Sequence, residues 1–119
     1  MMQRHMPIGY KIVDGKVKID DEKVAVIQKI FRDYLNGESL RTIAKELTNA
    51  GFLNANNKPN WNHGSVGRIL QNIKYIGDDF YPQMIEKEIF ESVRESRQKK
   101  DQEVGRTIKL NNIRNQNIF

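Results

Sequence analysis

Two helix-forming segments between Ser39 and Gly77 constrain the fold of this chain more than any other feature. The first begins at Ser39, whose hydroxyl can accept a hydrogen bond from an unpaired amide of the first turn. The apolar residues at the spacing of one helix face are Leu40, Ile43, Ala44 and Leu47. Gly51 marks the predicted end, because glycine adopts the left-handed conformation of a helix stop without steric cost. The pattern predicts a helix that buries one face.

A second helix is predicted to start at Asn62, after a turn-rich connection over residues 52–60. Asn62 is a good N-cap, and Trp61 before it can pack on Val66 as a hydrophobic staple. The buried face is predicted to contain Val66, Ile69 and Leu70. The outward residues are predicted to be His63, Gly64, Ser65, Gly67, Arg68, Gln71 and Asn72. Because the connection exceeds that of a tight helix-turn-helix, it could form a wing or a strand and leaves the interhelical angle undetermined.

The outward face of the second helix has a composition suited to nucleic acid. It carries small residues that permit close approach and hydrogen-bonding groups that suit base edges or phosphates. From Leu47 to Gly77 there is no Asp or Glu, and a carboxylate there would repel a phosphate backbone. The side chains predicted to contact DNA are Lys58, Asn62, His63, Ser65, Arg68, Gln71, Asn72 and Lys74. The alternative is an Asn-rich loop followed by an ordinary short helix.

These contacts are expected to divide by role. Asn62, His63 and Ser65 are predicted to affect sequence preference, because groove-reading helices often use N-terminal residues to contact bases. Lys58 and Arg68 are predicted to hold phosphates and so to affect affinity for all sequences.

Composition agrees with an anionic partner and offers little chemistry for catalysis. The net charge is +5 over 119 residues, which makes nucleic acid the first candidate partner of a single small domain. The chain has no cysteine, so disulfides and cysteine-based zinc sites are excluded. His5 and His63 show no metal spacing, Ser39 is explained as a cap, and Ser65 has no evident base beside it. We therefore predict no catalytic residue, metal or cofactor, no membrane contact, and a cytoplasmic location.

The flanking segments complete an α+β fold that is mainly α. Asp14-Gly15 suits a type I′ hairpin turn, which would pair Val13 with Lys16. The hairpin residues predicted to face the core are Tyr10, Ile12, Val17 and Ile19. A helix over residues 20–37 is expected next, capped by Asp20, with Val24, Ile27, Phe31, Tyr34 and Leu35 buried. A C-terminal helix is expected to start near Glu86, with Ile89, Phe90 and Val93 buried and a basic far end.

The order and spacing of these residues resemble the recombinase domain of large serine recombinases, over roughly residues 7–100. The residues that carry the resemblance are Pro7 to Tyr10, Ile30, Phe31, Tyr34, Gly37, Ile43, Ala44, Leu47, Gly51, Trp61, Val66, Ile69, Leu70, Asn72 and Tyr75 to Gly77. The segment Tyr81 to Ile85, with Glu88 and Phe90, resembles the segment that follows in many members. Two departures are the missing cysteines of a zinc ribbon and the short link from Gly77 to Tyr81.

The resemblance implies that catalysis and DNA binding belong to separate domains. In that family a separate N-terminal domain carries the serine that cuts DNA, and the recombinase domain grips the attachment site. This chain would then be non-catalytic, with duplex DNA and the catalytic domain of the same protein as its partners. The alternatives from the residues alone are a stand-alone helix-turn-helix transcription regulator and a protein-interaction module.

The chain is divided accordingly into three parts. Residues 7–103 are predicted to form the DNA-binding domain, with a hairpin, a helix-turn-helix-like core and a C-terminal helix. Residues 104–119 are expected to be a tail or a truncated connection. Residues 1–6 are treated as an N-terminal tail, either native or derived from a vector.

Overall fold

The N-terminal hairpin has the predicted turn and register. In a computed structural model of the protein, which describes residues 6–99, β1 (Tyr10–Val13) pairs antiparallel with β2 (Lys16–Ile19). Asp14 and Gly15 have φ angles of 52° and 78°, as a type I′ turn requires. The predicted tail at 104–119 and most of the N-terminal tail lie outside the described residues.

The hairpin contacts the core through Tyr10, Val17 and Ile19. Tyr10 is buried and its partner Ile19 is half-buried, whereas Ile12 is 62% exposed. The prediction that Ile12 packs inside is wrong, because the covering residues reach its strand partner Val17, which is half-buried as predicted, but not Ile12 itself. Alternation along a strand correctly identified the shared face, but it could not show how far the covering elements extend.

Four α-helices and a short 3-10 turn follow the hairpin in the described part of the chain. They are α1 (Val24–Leu35), α2 (Leu40–Asn49), α3 (His63–Gln71), the 3-10 turn (Ile73–Ile76) and α4, which covers residues 87–99. This architecture confirms the predicted α+β fold, which is mainly α-helical. The described helices and hairpin share one core of buried apolar residues.

Helix α1 starts one turn later than its sequence suggests. The Asp20 carbonyl accepts hydrogen bonds from the amides of Lys23 and Val24, both at 2.9 Å, and its carboxylate accepts from the Glu22 amide at 3.0 Å. Lys23 takes the N-cap position without a side-chain hydrogen bond. Asp20 therefore forms a turn before the helix, and the prediction that it caps α1 is wrong. Leu35, predicted to be buried, is 41% exposed.

Glycine ends α1 and α2 in the same way. Gly51 has a φ of 80°, and its amide donates to the Thr48 carbonyl at 3.1 Å. The next amide, of Phe52, donates back to the Leu47 carbonyl at 3.1 Å. This pair of bonds is a Schellman motif, in which a left-handed residue satisfies the last carbonyls of the helix. Gly37 ends α1 with the equivalent pair of bonds, so both predicted stops are confirmed.

Trp61 joins the end of α2 to the start of α3. Its side chain is 5% exposed, and its indole N–H donates to the Phe52 carbonyl at 2.8 Å. Its backbone amide donates to the Thr48 hydroxyl at 2.9 Å. Trp61 and Val66 lie in the same buried cluster, as the staple at the start of α3 requires. These bonds hold the two helices together although a long connection separates them.

Replacing Trp61 by alanine should lower the free energy of unfolding by about 3–5 kcal/mol, the usual effect of emptying a buried aromatic site. Urea unfolding followed by far-UV circular dichroism measures the loss. Phe80→Ala is the matched control, because Phe80 is 75% exposed, and its effect should stay within about 0.5 kcal/mol. Equal losses in the two variants would show that Trp61 does not support the α2–α3 junction.

Candidate nucleic-acid interface

A capping box fixes the start of α3. The Asn62 side-chain oxygen accepts from the Ser65 amide at 2.9 Å, and the Ser65 hydroxyl accepts from the Asn62 amide at 3.0 Å. The same hydroxyl donates to the Asn62 carbonyl at 2.8 Å. Ser65 thus uses its only hydroxyl hydrogen inside the helix start. Among the described residues the side-chain NH₂ of Asn62 has no acceptor, so it remains available to a ligand.

A groove runs along one side of α3. It encloses about 540 Å³ between the helix, the N-terminal residues 6–8 and the loop at 54–60. Five of the predicted DNA-contacting residues line it, and they are Asn62, Ser65, Arg68, Asn72 and Lys74. Its apolar surface includes Trp61, Ile69 and Tyr75, and no carboxylate lines it. Amides, a hydroxyl and two cations in one groove are the groups that bind a sugar–phosphate backbone.

The loop beside this groove is held by Asn54. Its side-chain oxygen accepts from the amides of Asn56 and Lys58 at 2.8 and 3.1 Å, and its NH₂ donates to the Asn60 carbonyl at 2.6 Å. Asn57 takes a φ of 60°, which asparagine tolerates better than most residues. The open question of wing or strand is thereby answered: the connection is a tight turn, and its exposed Lys58 does not line the groove.

The far end of the groove is ordered by Asn72 and Lys74. The Asn72 side chain accepts from the Lys74 amide at 3.0 Å and so caps the 3-10 turn. The Lys74 ammonium lies 5.4 Å from the centre of the Tyr81 ring, a cation–π contact. The half-buried Lys74 is therefore held at the groove by an aromatic face.

The remaining predicted contacts lie apart from the groove. His63 is exposed in the first turn of α3, and Gln71 faces a second cavity between α3 and α4. Gly67 was predicted to face outward, but it is buried, because Arg97 of α4 lies over it and donates to its carbonyl at 3.0 Å. A glycine in the middle of a helix is a signal of such a close approach. Sequence reasoning did not connect it to an arginine 30 residues later.

The acidic residues that sequence reasoning left aside cluster on α1, on α2 and on the link between them. Carboxylate oxygens of Asp33, Glu38 and Glu46 lie within 4.8 Å of one another, and the Lys29 ammonium contacts Asp33 at 2.6 Å and Glu46 at 3.8 Å. Burial raises the pKa of Glu38 above its ordinary 4.5, and a side-chain hydrogen bond with Glu46 and the charge of Asp33 raise it further. One oxygen of Glu38 is buried without a hydrogen bond among the described residues. Lys29 already neutralises the innermost carboxylate.

Comparison with known proteins identifies a family for most of the chain. The family model described as Recombinase matches residues 21–106, which include α1 to α4 and the loop beside the groove. No solved structure matches the chain. Within residues 6–99, no helix has the length and apolar character needed to cross a bilayer.

Asn62→Ala should lower the free energy of unfolding by about 0.5–2 kcal/mol, because the α3 start loses its cap. Asn62→Asp should retain wild-type stability, since aspartate caps as well as asparagine and suits the positive end of the helix dipole. Chemical unfolding of both variants measures this. Asn56→Ala is the control, because the Asn56 side chain makes no hydrogen bond within the described residues. Unchanged stability in Asn62→Ala would refute the capping role.

Glu38→Gln should make the protein more stable than wild type at neutral pH. The folded-state pKa of Glu38 is raised, so ionising this carboxyl costs stability as the pH rises through that value. Below 4.5 the carboxyl is protonated in both folded and unfolded chains, and the difference between variant and wild type should vanish. Unfolding measured across acid and neutral pH tests this. Glu88→Gln, an exposed change on α4, should show no such pH-dependent gain.

Proposed function

Because the chain belongs to the Recombinase family, we propose that it is the duplex-DNA-binding domain of a serine site-specific recombinase. It grips the attachment site, and a separate N-terminal catalytic domain of the same protein cuts and rejoins the strands. The observation that carries the proposal is the carboxylate-free groove along α3, with Arg68 and Lys74 among its lining residues. Phosphates are attracted to such a surface, and none of its charges repels them.

Helix α3 is the element that enters the major groove. A groove about 12 Å wide admits one α-helix, whose outer residues then meet base edges. Gly64 and Arg68 lie one turn apart on α3, and the missing side chain of Gly64 permits close approach. Asn62 and His63 at the N-terminal end are the base-reading candidates. Ser65 contributes chiefly through the capping box that its hydroxyl completes.

Arg68 and Lys74 hold the DNA backbone at the edge of α3. Both line the groove, about two turns of chain apart, and can meet successive phosphates of one strand. Lys58, on the tight turn held by Asn54, reaches the same backbone farther along. These contacts set affinity for every sequence, whereas those from the start of α3 set preference among sequences.

Asn62→Asp should weaken DNA binding without loss of stability. The substitution keeps the cap but places a carboxylate in the groove, where it repels phosphate. Lys87→Gln is the charge-matched control: it also lowers net charge by one, at the start of α4, and should bind nearly as wild type does. The probe is a short duplex selected from a randomised pool with the wild-type chain, measured by fluorescence anisotropy over a salt series.

Arg68→Ala completes that experiment. Loss of this arginine should weaken binding to the selected and the scrambled duplex alike. The slope of log affinity against log salt should decrease by about one, as expected of a phosphate contact. Loss of selected binding alone, with the salt slope unchanged, would instead make Arg68 a base-reading residue. If wild type bound no duplex, the DNA-binding assignment would be wrong. Strand breaks or covalent adducts formed by the purified chain would refute its non-catalytic role.

A further inference from the structure

The last described turns of α4 lie against α3 on the side away from the groove. Groove residues such as Arg68 and Asn72 occupy one side of α3, while Gly67 and Gln71 occupy another, at about 100° per residue. A cavity of about 230 Å³ lies between the two helices there. It is lined by Leu70, Gln71, Phe90, Arg94, Arg97 and Gln98.

Two arginines of this cavity are held in place by the fold. Arg97 donates one N–H to the Gly67 carbonyl at 3.0 Å, and both its terminal nitrogens lie 3.6 Å from where a Cβ on Gly67 would be. The Arg94 guanidinium lies 5.4 Å from the centre of the Phe90 ring. A guanidinium has five N–H donors, so each arginine keeps donors for an anion.

Within residues 6–99 neither arginine has an ion-pair partner, and no carboxylate lines the cavity. Arg94 and Arg97 are three residues apart, so they follow each other on one face of α4. The helix dipole favours cations near a C-terminus, but it acts equally on every side of the helix. It does not explain why both arginines line the cavity beside α3.

We propose that Arg94 and Arg97 bind phosphates of the DNA strand on the side of α3 opposite Arg68 and Lys74. The proposal rests on the proposed function, because a helix inserted in a major groove has a phosphate backbone on each side. Arg68 and Lys74 serve one backbone from the groove, and the α4 arginines serve the other. Gln71 lies between them on α3 and faces the same cavity as the arginines. The C-terminal helix is thus part of the DNA interface as well as of the scaffold.

Arg94→Gln is the primary test, because Arg94 does not make the bond that joins α4 to Gly67. Binding of a short mixed-sequence duplex should weaken, and the slope of log affinity against log salt should decrease by about 0.9 for one lost B-DNA phosphate contact. Lys87→Gln removes the same charge about 10 Å away along α4, at about 1.5 Å per residue, and should keep the wild-type slope. Thermal unfolding of both variants checks that the fold is intact.

Neutral methylphosphonates placed singly along the selected duplex then locate the contacts. The affinity of Arg94→Gln should no longer fall when one particular group of phosphates is neutralised. The affinity of Arg68→Gln should no longer fall when a different group, across the major groove, is neutralised. Arg97→Gln should be insensitive to the same phosphates as Arg94→Gln. It should also lower the melting temperature, because it loses the bond to Gly67.

The outcomes separate the two proposals. If wild type binds and Arg68→Gln loses salt dependence while Arg94→Gln keeps the full slope, the α4 proposal is wrong and the α3 assignment stands. If Arg94→Gln binds DNA as wild type does but no longer binds an isolated catalytic domain, the surface contacts protein instead. If wild type binds no duplex, both proposals are wrong. The α4 proposal is supported if Arg94→Gln shows both a smaller salt dependence of binding and a loss of sensitivity to neutralised phosphates.

Discussion

The contacts of the buried Tyr75 side chain are the interactions on which the rest of the structure depends. Its hydroxyl donates to the Ile8 carbonyl at 2.7 Å, and its own carbonyl accepts from the amides of Met84 and Ile85 at 2.9 Å. Its ring stacks on Tyr10 at 5.7 Å between centres, and burial raises the pKa of Tyr75 far above the ordinary tyrosine value. One residue thereby joins the N-terminal segment, the hairpin and the approach to α4, in positions far apart in the chain.

The same arrangement makes α3 a rigid platform. Tyr75 lies in the 3-10 turn just after α3 and lines the groove, while Trp61 lies just before α3 and ties it to α2. Both ends of this nine-residue helix are therefore fixed by buried aromatic side chains with satisfied hydrogen bonds. A short isolated helix is marginal in water, so tertiary packing supplies most of its stability. A fixed helix can hold Arg68 and Asn62 in one geometry, as the proposed DNA contact requires.

Charge is separated on the described surface in a way that fits this role. The carboxylates of Asp33, Glu38 and Glu46 gather near Lys29, on α1, α2 and the link between them. Both cavities beside α3 instead contain cations and amides without a carboxylate. A net charge of +5 is consistent with many partners, but the positions of the charges on the surface narrow the choice of partner. Membership of the Recombinase family and this distribution both support the proposal that the partner is duplex DNA.

Local sequence by itself determined the features that depend on near neighbours. The Asp14-Gly15 turn, the glycine stops of α1 and α2 and the Asn62 cap follow from backbone conformation and hydrogen bonds within a few residues. Only the tertiary structure decided that Ile12 is exposed and that Gly67 is covered by Arg97. It also brought Asn62 and Lys74 to one groove with the N-terminal segment. Periodicity gives the face of an element, but contacts between distant segments decide which part of that face is covered.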